Sequence, residues 1–400
     1  MKKNAIFILV LISSILILLN NVSATDVNST DVDCSVSNAD VSISSDDSLN
    51  VISEHEAVNS DDSLNVISEH EAVSSGSTQH VISKYNYTQY FDGFGNLDSA
   101  AVKNGDTLIL SGEFDNKHFN INRPVNIVGN NSIIREGYLY ITSSDVNVSN
   151  IRIINNNSPG LILYRALNCN IWNNSIVTYG AFASIVNPGS KYNNISNNYF
   201  KSGTVSGKSY STMVLGGADY NYIANNYLEC DNANIIYISI WGSGAFHGGE
   251  ANFNIFYNNT LKCMIDNPDA FCYGMQMMGF NNTIDSNVII GTFRGISTYE
   301  NSTVINNKIF NLTGVAYLSA DRIGADYGIF VGDNCLVSNN TIANCLISSS
   351  AIYCGSNSII SNNNIDITGD GYGIYADGDN INVLNNIVST VGKASIYQTG

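Results

Sequence analysis

Carboxylates, one histidine and one arginine gather in one stretch of this sequence. Asp231, His247, Glu250, Asp266 and Asp269 fall within residues 231–252 and 263–282, and Arg294 follows shortly after. Residues of these types can bind a cation or move a proton where they converge. Asp266 stands seven places after Asn259, and Arg294 seven places after Asn287. Those two asparagines hold the same place in a repeated phrase, so the repeat sets the pair side by side if no bulge intervenes. The simpler reading is an exposed ion pair worth about 0–1 kcal/mol. It is the preferred one, and no catalytic residue is assigned. Asp333 and Asp379, with Asp370 and Asp377 nearby, are the only other acids spaced to suggest Ca²⁺. The glycine-rich loop that would hold the ion is missing, so no metal or other cofactor is assigned.

Aromatic and sulfur residues are more regularly placed. Phe330, Tyr353, Tyr375 and Tyr397 each follow the isoleucine of a Gly-Ile, Ala-Ile or Ser-Ile step, at intervals of 23, 22 and 22 residues. Alternation in a strand turns all four out of a core and onto one face. Together with Tyr199, Tyr227 and Trp241, they offer flat surfaces for sugar rings or a protein partner. The competing reading is a ring stack that only covers a sheet. Cys230 and Cys263 each lie four residues after a repeat asparagine, which makes them neighbours at a spacing that suits a disulfide. Buried free thiols acting as small apolar residues are the alternative.

The element that must position all of these is a short phrase written nine times. Asparagine, or once serine, precedes Asn174, Asn198, Asn226, Asn259, Asn287, Asn307, Asn340, Asn363 and Asn386, and an apolar residue follows each of these two places on. The steps are 24, 28, 33, 28, 20, 33, 23 and 23 residues, a repeat with loops of variable length. Before each pair, apolar residues alternate with polar ones, as in Asn221-Tyr222-Ile223 and Asn380-Ile381-Asn382-Val383. That is a strand with one buried face. Two or three short strands per step without helical periodicity predict an all-β solenoid, one turn of a parallel β-helix per repeat. Asparagine tolerates the left-handed backbone of a sharp corner. Stacked at 4.7–4.9 Å per coil, its amides also form a ladder that locks the register. Asn150, 24 residues before Asn174, is expected to begin it.

Gly105-Asp106-Thr107-Leu108-Ile109-Leu110-Ser111-Gly112, followed by Arg123-Pro124-Val125-Asn126-Ile127-Val128-Gly129, resembles the opening of right-handed parallel β-helix domains of the pectate-lyase-like superfamily. With its leader, acidic repeat and Asn-Asn coils, the whole chain resembles the adhesin-like surface proteins of methanogenic archaea. The resemblance implies the fold. For activity it implies two alternatives: a non-catalytic adhesin, or a polysaccharide lyase or hydrolase in which a carboxylate holds Ca²⁺ and Arg294 is the base.

Lys2 and Lys3, the apolar run from Ala5 to Leu19 and Val22-Ser23-Ala24 read as a secretory leader over residues 1–24. No later segment could span a membrane. Residues 25–84 are an acidic, serine-rich repeat in which Ser45 to Val58 returns as Ser60 to Val73, read as a spacer. Residues 85–400 form the β-helix of about ten coils, with Leu97 to Val102 as a short capping helix. The formal charge of −17 makes nucleic acid an improbable partner. The expected role is a secreted, cell-surface rod binding glycans or proteins of other cells. The alternatives are a carbohydrate-active enzyme and a structural surface-layer element.

Overall fold

The computed structural model describes residues 77–242, 245–263, 272–313 and 326–399. The leader, nearly all of the acidic repeat, Asp266 and Asp269 lie outside them. Every pairing between named strands is parallel, and the strands form two sheets, one of 22 and one of 12. Each full coil gives one strand to the smaller sheet and two to the larger, which bends at the Asn-Asn corner. The chain folds as a parallel β-helix solenoid, and the twelve strands of the smaller sheet extend it past the expected ten coils.

The sequence alternation maps onto columns of like residues. Ile171, Ile195, Ile223, Phe256, Ile284, Val304, Val337 and Ile360 stack in register on one side of the corner. On the other side stand Ile176, Phe200, Leu228, Leu261, Ile289, Ile309, Ile342 and Ile365, the apolar residues two places after each pair. All of these are buried. Parallel in-register pairing places each side chain over its counterpart one coil below, so one apolar choice is repeated as a continuous core.

The two asparagines of each pair divide the work. The first takes the left-handed backbone at the corner: Asn173, Asn197, Asn225, Asn258, Ser286, Asn306, Asn339, Asn362 and Asn385 have φ between 50° and 58°. The second points inward. The backbone N–H and the side-chain amide of Asn226 both donate to Oδ1 of Asn259 at 3.0 Å, and its amide also donates to the Ile195 carbonyl at 2.8 Å. The same bonds run from Asn174 to Asn386. An unmatched buried amide costs roughly 1–3 kcal/mol, so a slip of one residue would break the whole series. Asn150 does not begin it. That residue takes the corner with φ 59°, Ile151 fills the inward place, and the first ladder amide is Asn174, whose Oδ1 accepts from the Ile151 N–H.

A second inward ladder stands five residues earlier. Asn193, Asn221 and Asn254 each donate to the next asparagine, and the Asn282 N–H donates to the Ser302 hydroxyl. Cys169, Ser302, Cys335 and Ser358 hold the same column in other coils.

The lower end differs from the expected helix. Between Leu97 and Val102 there is a single turn, with the Val102 N–H donating to the Asp98 carbonyl and the Ala100 N–H to the Asp98 carboxylate. Asn104-Gly105, with Gly105 at φ 83°, ends it before a helix can nucleate. The end is filled instead by Tyr87, Phe91, Phe114 and Phe119, packed stacked or edge-on at 4.9–5.5 Å. A strand, Gln79–Ile82, pairs with Thr107 to Leu110 and lies within the stretch expected to be spacer. Asp106 fastens it, accepting from the Thr78 N–H, the Lys103 N–H and the His80 ring. Burial alone would raise the Asp106 carboxyl, but the Lys103 and Thr78 N–H groups and His80 hold it below its ordinary value.

Candidate functional site: an aromatic groove on the smaller sheet

The outer face of the smaller sheet carries the aromatic residues in two arrangements. Near the middle of the solenoid is an open groove of about 500 Å³, built from four segments. Phe182 precedes the strand Ser184–Val186, Tyr210 precedes Met213–Leu215, and Tyr237 is the outward residue of Ile236–Ile238. Trp241 and Phe246 belong to the loop that follows. Asn232, Ala233, Asn234, Ser209, Ser211, Ser239, Gly242 and Tyr273 complete the described lining. The rings are not in a stack. Phe182 meets Tyr210 edge-on at 5.1 Å and Phe246 obliquely at 6.1 Å. Trp241 is 65% exposed.

The described parts of this wall, residues 239–242 and 245–249, are fixed from below. The Asn187 amide donates to the Ala245 carbonyl at 2.7 Å and its Oδ1 accepts the His247 N–H at 2.8 Å. The Ser239 hydroxyl and the Trp241 backbone bond each other in both directions, at 3.0 and 3.1 Å, which sets where the indole leaves the chain. The backbone here is too close for side chains: a Cβ on Gly248 would lie 2.4 Å from the Ile240 carbonyl oxygen, and one on Gly216 2.2 Å from that of His247.

Toward the C-terminal coils the rings form a column. Phe330 and Tyr353 stack at 4.6 Å and 5°, Tyr353 and Tyr375 at 5.6 Å and 13°, and Tyr375 and Tyr397 at 5.1 Å and 37°. Their backbones are in register, so the spacing is that of the coils. Rings stacked this closely cover one another's faces and present edges and hydroxyls to solvent. The Tyr353 hydroxyl donates to Asp377 at 2.5 Å. Burial, then that bond, raises the pKa of Tyr353 well above the ordinary tyrosine value. Tyr199 and Tyr227 lie on the larger sheet, stacked at 6.0 Å, with the Tyr199 hydroxyl on Glu229. A further stack sits at a corner: Tyr192, Tyr220 and Phe253, with φ of 56–57° where coils above have asparagine.

Of the candidate acid–base residues, Asp266 and Asp269 lie outside the described residues. Arg294 pairs across the sheet with Tyr273, which stands fourteen residues after Asn259, twice the interval from Asn287 to Arg294. Arg294 lies against the rings of Tyr273 at 4.8 Å, Tyr327 at 4.9 Å and Phe293 at 5.5 Å, and donates to the Tyr327 hydroxyl. His247 and Glu250 are exposed, and the His247 ring faces Tyr164 at 5.7 Å. Asp333 accepts the Ser356 N–H, and Asp377 also accepts from the Thr399 hydroxyl. Among the described residues no three of His, Cys, Asp and Glu converge as metal ligands.

Cys230 and Cys263 are register partners, but Cys263 is bonded to Cys272 and Cys230 is a free, buried thiol. Partners in adjacent parallel strands project in the same direction, whereas Cys272 returns across a loop with its Cα 6.2 Å from that of Cys263. Burial pushes the free thiols up to about 11 for Cys169, Cys230, Cys335 and Cys345 and about 12 for Cys354, so they are core residues without nucleophilic character.

No family model matches this sequence, and no curated protein matches it. Solved structures do. PfbA, a surface adhesin of Streptococcus pneumoniae, matches with a TM-score of 0.54 and 14% identity, over 79% of this chain and 91% of that one. The A-module of mannuronan C-5 epimerase AlgE6 of Azotobacter vinelandii matches at 0.43 and 10%, over 74% and 91%. A mannuronic acid specific polysaccharide family 6 lyase from human gut microbiota matches at 0.38 and 13%, over 76% and 87%. At these identities the likeness is one of fold.

Proposed function

We propose that this chain is an exported, non-catalytic glycan-binding protein of the cell surface, adhesin-like in role, and that the aromatic groove is its binding site. One observation carries the reading. The groove is lined with aromatic rings, amides and hydroxyls, and none of its described lining residues is a carboxylate, histidine, lysine or arginine. Ring faces and neutral hydrogen-bonding groups can hold a sugar. Glycoside hydrolysis is carried in most families by a pair of Asp or Glu residues, and the groove's described lining contains no carboxylate. Fold alone is neutral between adhesins and enzymes, and the neutral chemistry of the groove supports the first reading. Residues 1–24 support export, and the acidic repeat acts as a spacer between the rod and the cell envelope.

A lyase or hydrolase is the second reading. It draws on Arg294, whose Nε is buried without a hydrogen-bond partner directly behind Tyr273 of the groove. Incubating the full chain with plant and microbial polysaccharides separates the two. Binding without unsaturated products or new reducing ends is expected; turnover abolished by Arg294→Gln would establish the enzyme instead.

A further inference from the structure

The geometry points to an uncharged polysaccharide, built of neutral sugars without carboxylate or sulfate groups, as the ligand of the groove. This inference rests on the glycan-binding reading and narrows it. Every polar group on the described lining is neutral. Asn232, Asn234, Ser209, Ser211 and Ser239 supply amides and hydroxyls, and the Asn234 Nδ2 already donates to Gln276 at 3.1 Å, which leaves its carbonyl side to accept a sugar hydroxyl. A uronate or sulfate set among these rings would lose water and gain no counter-charge, and such burial is unfavourable.

Arg294 is the nearest cation in the sheet register, but its guanidinium rests on the rings of Tyr273 and Tyr327 and its Nη1 on the Tyr327 hydroxyl. Its charge is directed to those π faces. At long range the balance works the same way. Residues 83–400 contain 22 acids against 15 Lys and Arg, a formal charge of −7, which repels a polyanion.

Affinity electrophoresis of the full chain tests this, using a neutral β-glucan and a neutral galactomannan against polygalacturonate and alginate, at low and at physiological salt. The expected result is retardation by at least one neutral polymer, at least tenfold tighter than by either uronate polymer, insensitive to salt, and weakened tenfold or more by Trp241→Ala. Tyr237→Ala serves as a second variant should Trp241→Ala alter folding. Tighter, salt-sensitive retardation by a uronate polymer would overturn this inference while leaving glycan binding in place. Retardation by no polymer would overturn both.

Discussion

The groove and the C-terminal column lie on the same sheet and are both rich in aromatic residues, yet they differ in what the rings touch. In the column, an aromatic residue recurs at one register position, so each ring is satisfied by its copies above and below, from Phe330 to Tyr397. In the groove the register row breaks up. Phe182, Tyr210, Tyr237, Trp241 and Phe246 come from different positions in their coils and meet edge-on or obliquely, which leaves ring faces open. Regular repetition makes a wall, and departure from it makes a site.

Changing rings in each region is the strongest way to break this comparison. Trp241→Ala should lower glycan affinity by about 2 kcal/mol, the scale of a buried aromatic anchor, with thermal stability nearly unchanged, as titration calorimetry and a melting curve would show. The double variant Tyr353→Ala/Tyr375→Ala should behave in the opposite way. It should lose about 1–2 kcal/mol of stability from the stack and keep its glycan affinity within twofold. If the column variant lost binding and the groove variant kept it, the two roles would have to be exchanged.

Titration sharpens the contrast further. Because the folded state raises the pKa of Tyr353, the stabilisation linked to its protonated form is complete below the ordinary tyrosine value near 10 and is lost as pH rises beyond it. The Phe182, Trp241 and Phe246 rings of the groove do not titrate. Alkaline melting should therefore be flatter in Tyr353→Phe than in the parent chain. The opposite sign applies at the lower end. Asp106 is depressed, so its contribution is present above about pH 4 and fades as pH falls through its folded value. Asp106→Asn should remove that acid sensitivity, and hydrogen exchange at Gln79–Ile82 would report it.

The smallest effect is expected at the third stack. Tyr220→Asn gives the left-handed corner the residue that coils above use, worth about 1 kcal/mol, but removes ring contacts with Tyr192 and Phe253 of similar size. The melting temperature should hardly move.

How much of this was legible in the sequence follows the same division. The nine copies of the corner phrase, eight Asn-Asn and one Ser286-Asn287, fixed the solenoid, and the isoleucine steps placed Phe330, Tyr353, Tyr375 and Tyr397 on one face, because both features repeat at coil spacing. The second ladder carried a readable signal too, an asparagine five residues before Asn198, Asn226, Asn259 and Asn287, interrupted elsewhere by Ser and Cys. The groove left little trace. Trp241 stood out as an aromatic residue on a loop, but Phe182, Tyr210 and Phe246 share no period with it and come together only in the fold. Sequence proximity likewise decided the disulfide: Cys272, nine residues on, gave Cys263 a partner other than its register neighbour Cys230.

Coils in this chain differ by up to thirteen residues, from a step of 20 to one of 33, and the strands on either side of the longest insertions still pair without a shift. The added length leaves at a corner and returns to the same place in the ladder. Residues 239–242 and 245–249 thus hang on a scaffold indifferent to what they contain. A loop of another composition in their place should leave the coils above and below to assemble as before, so one corner can be exchanged without disturbing the ladder.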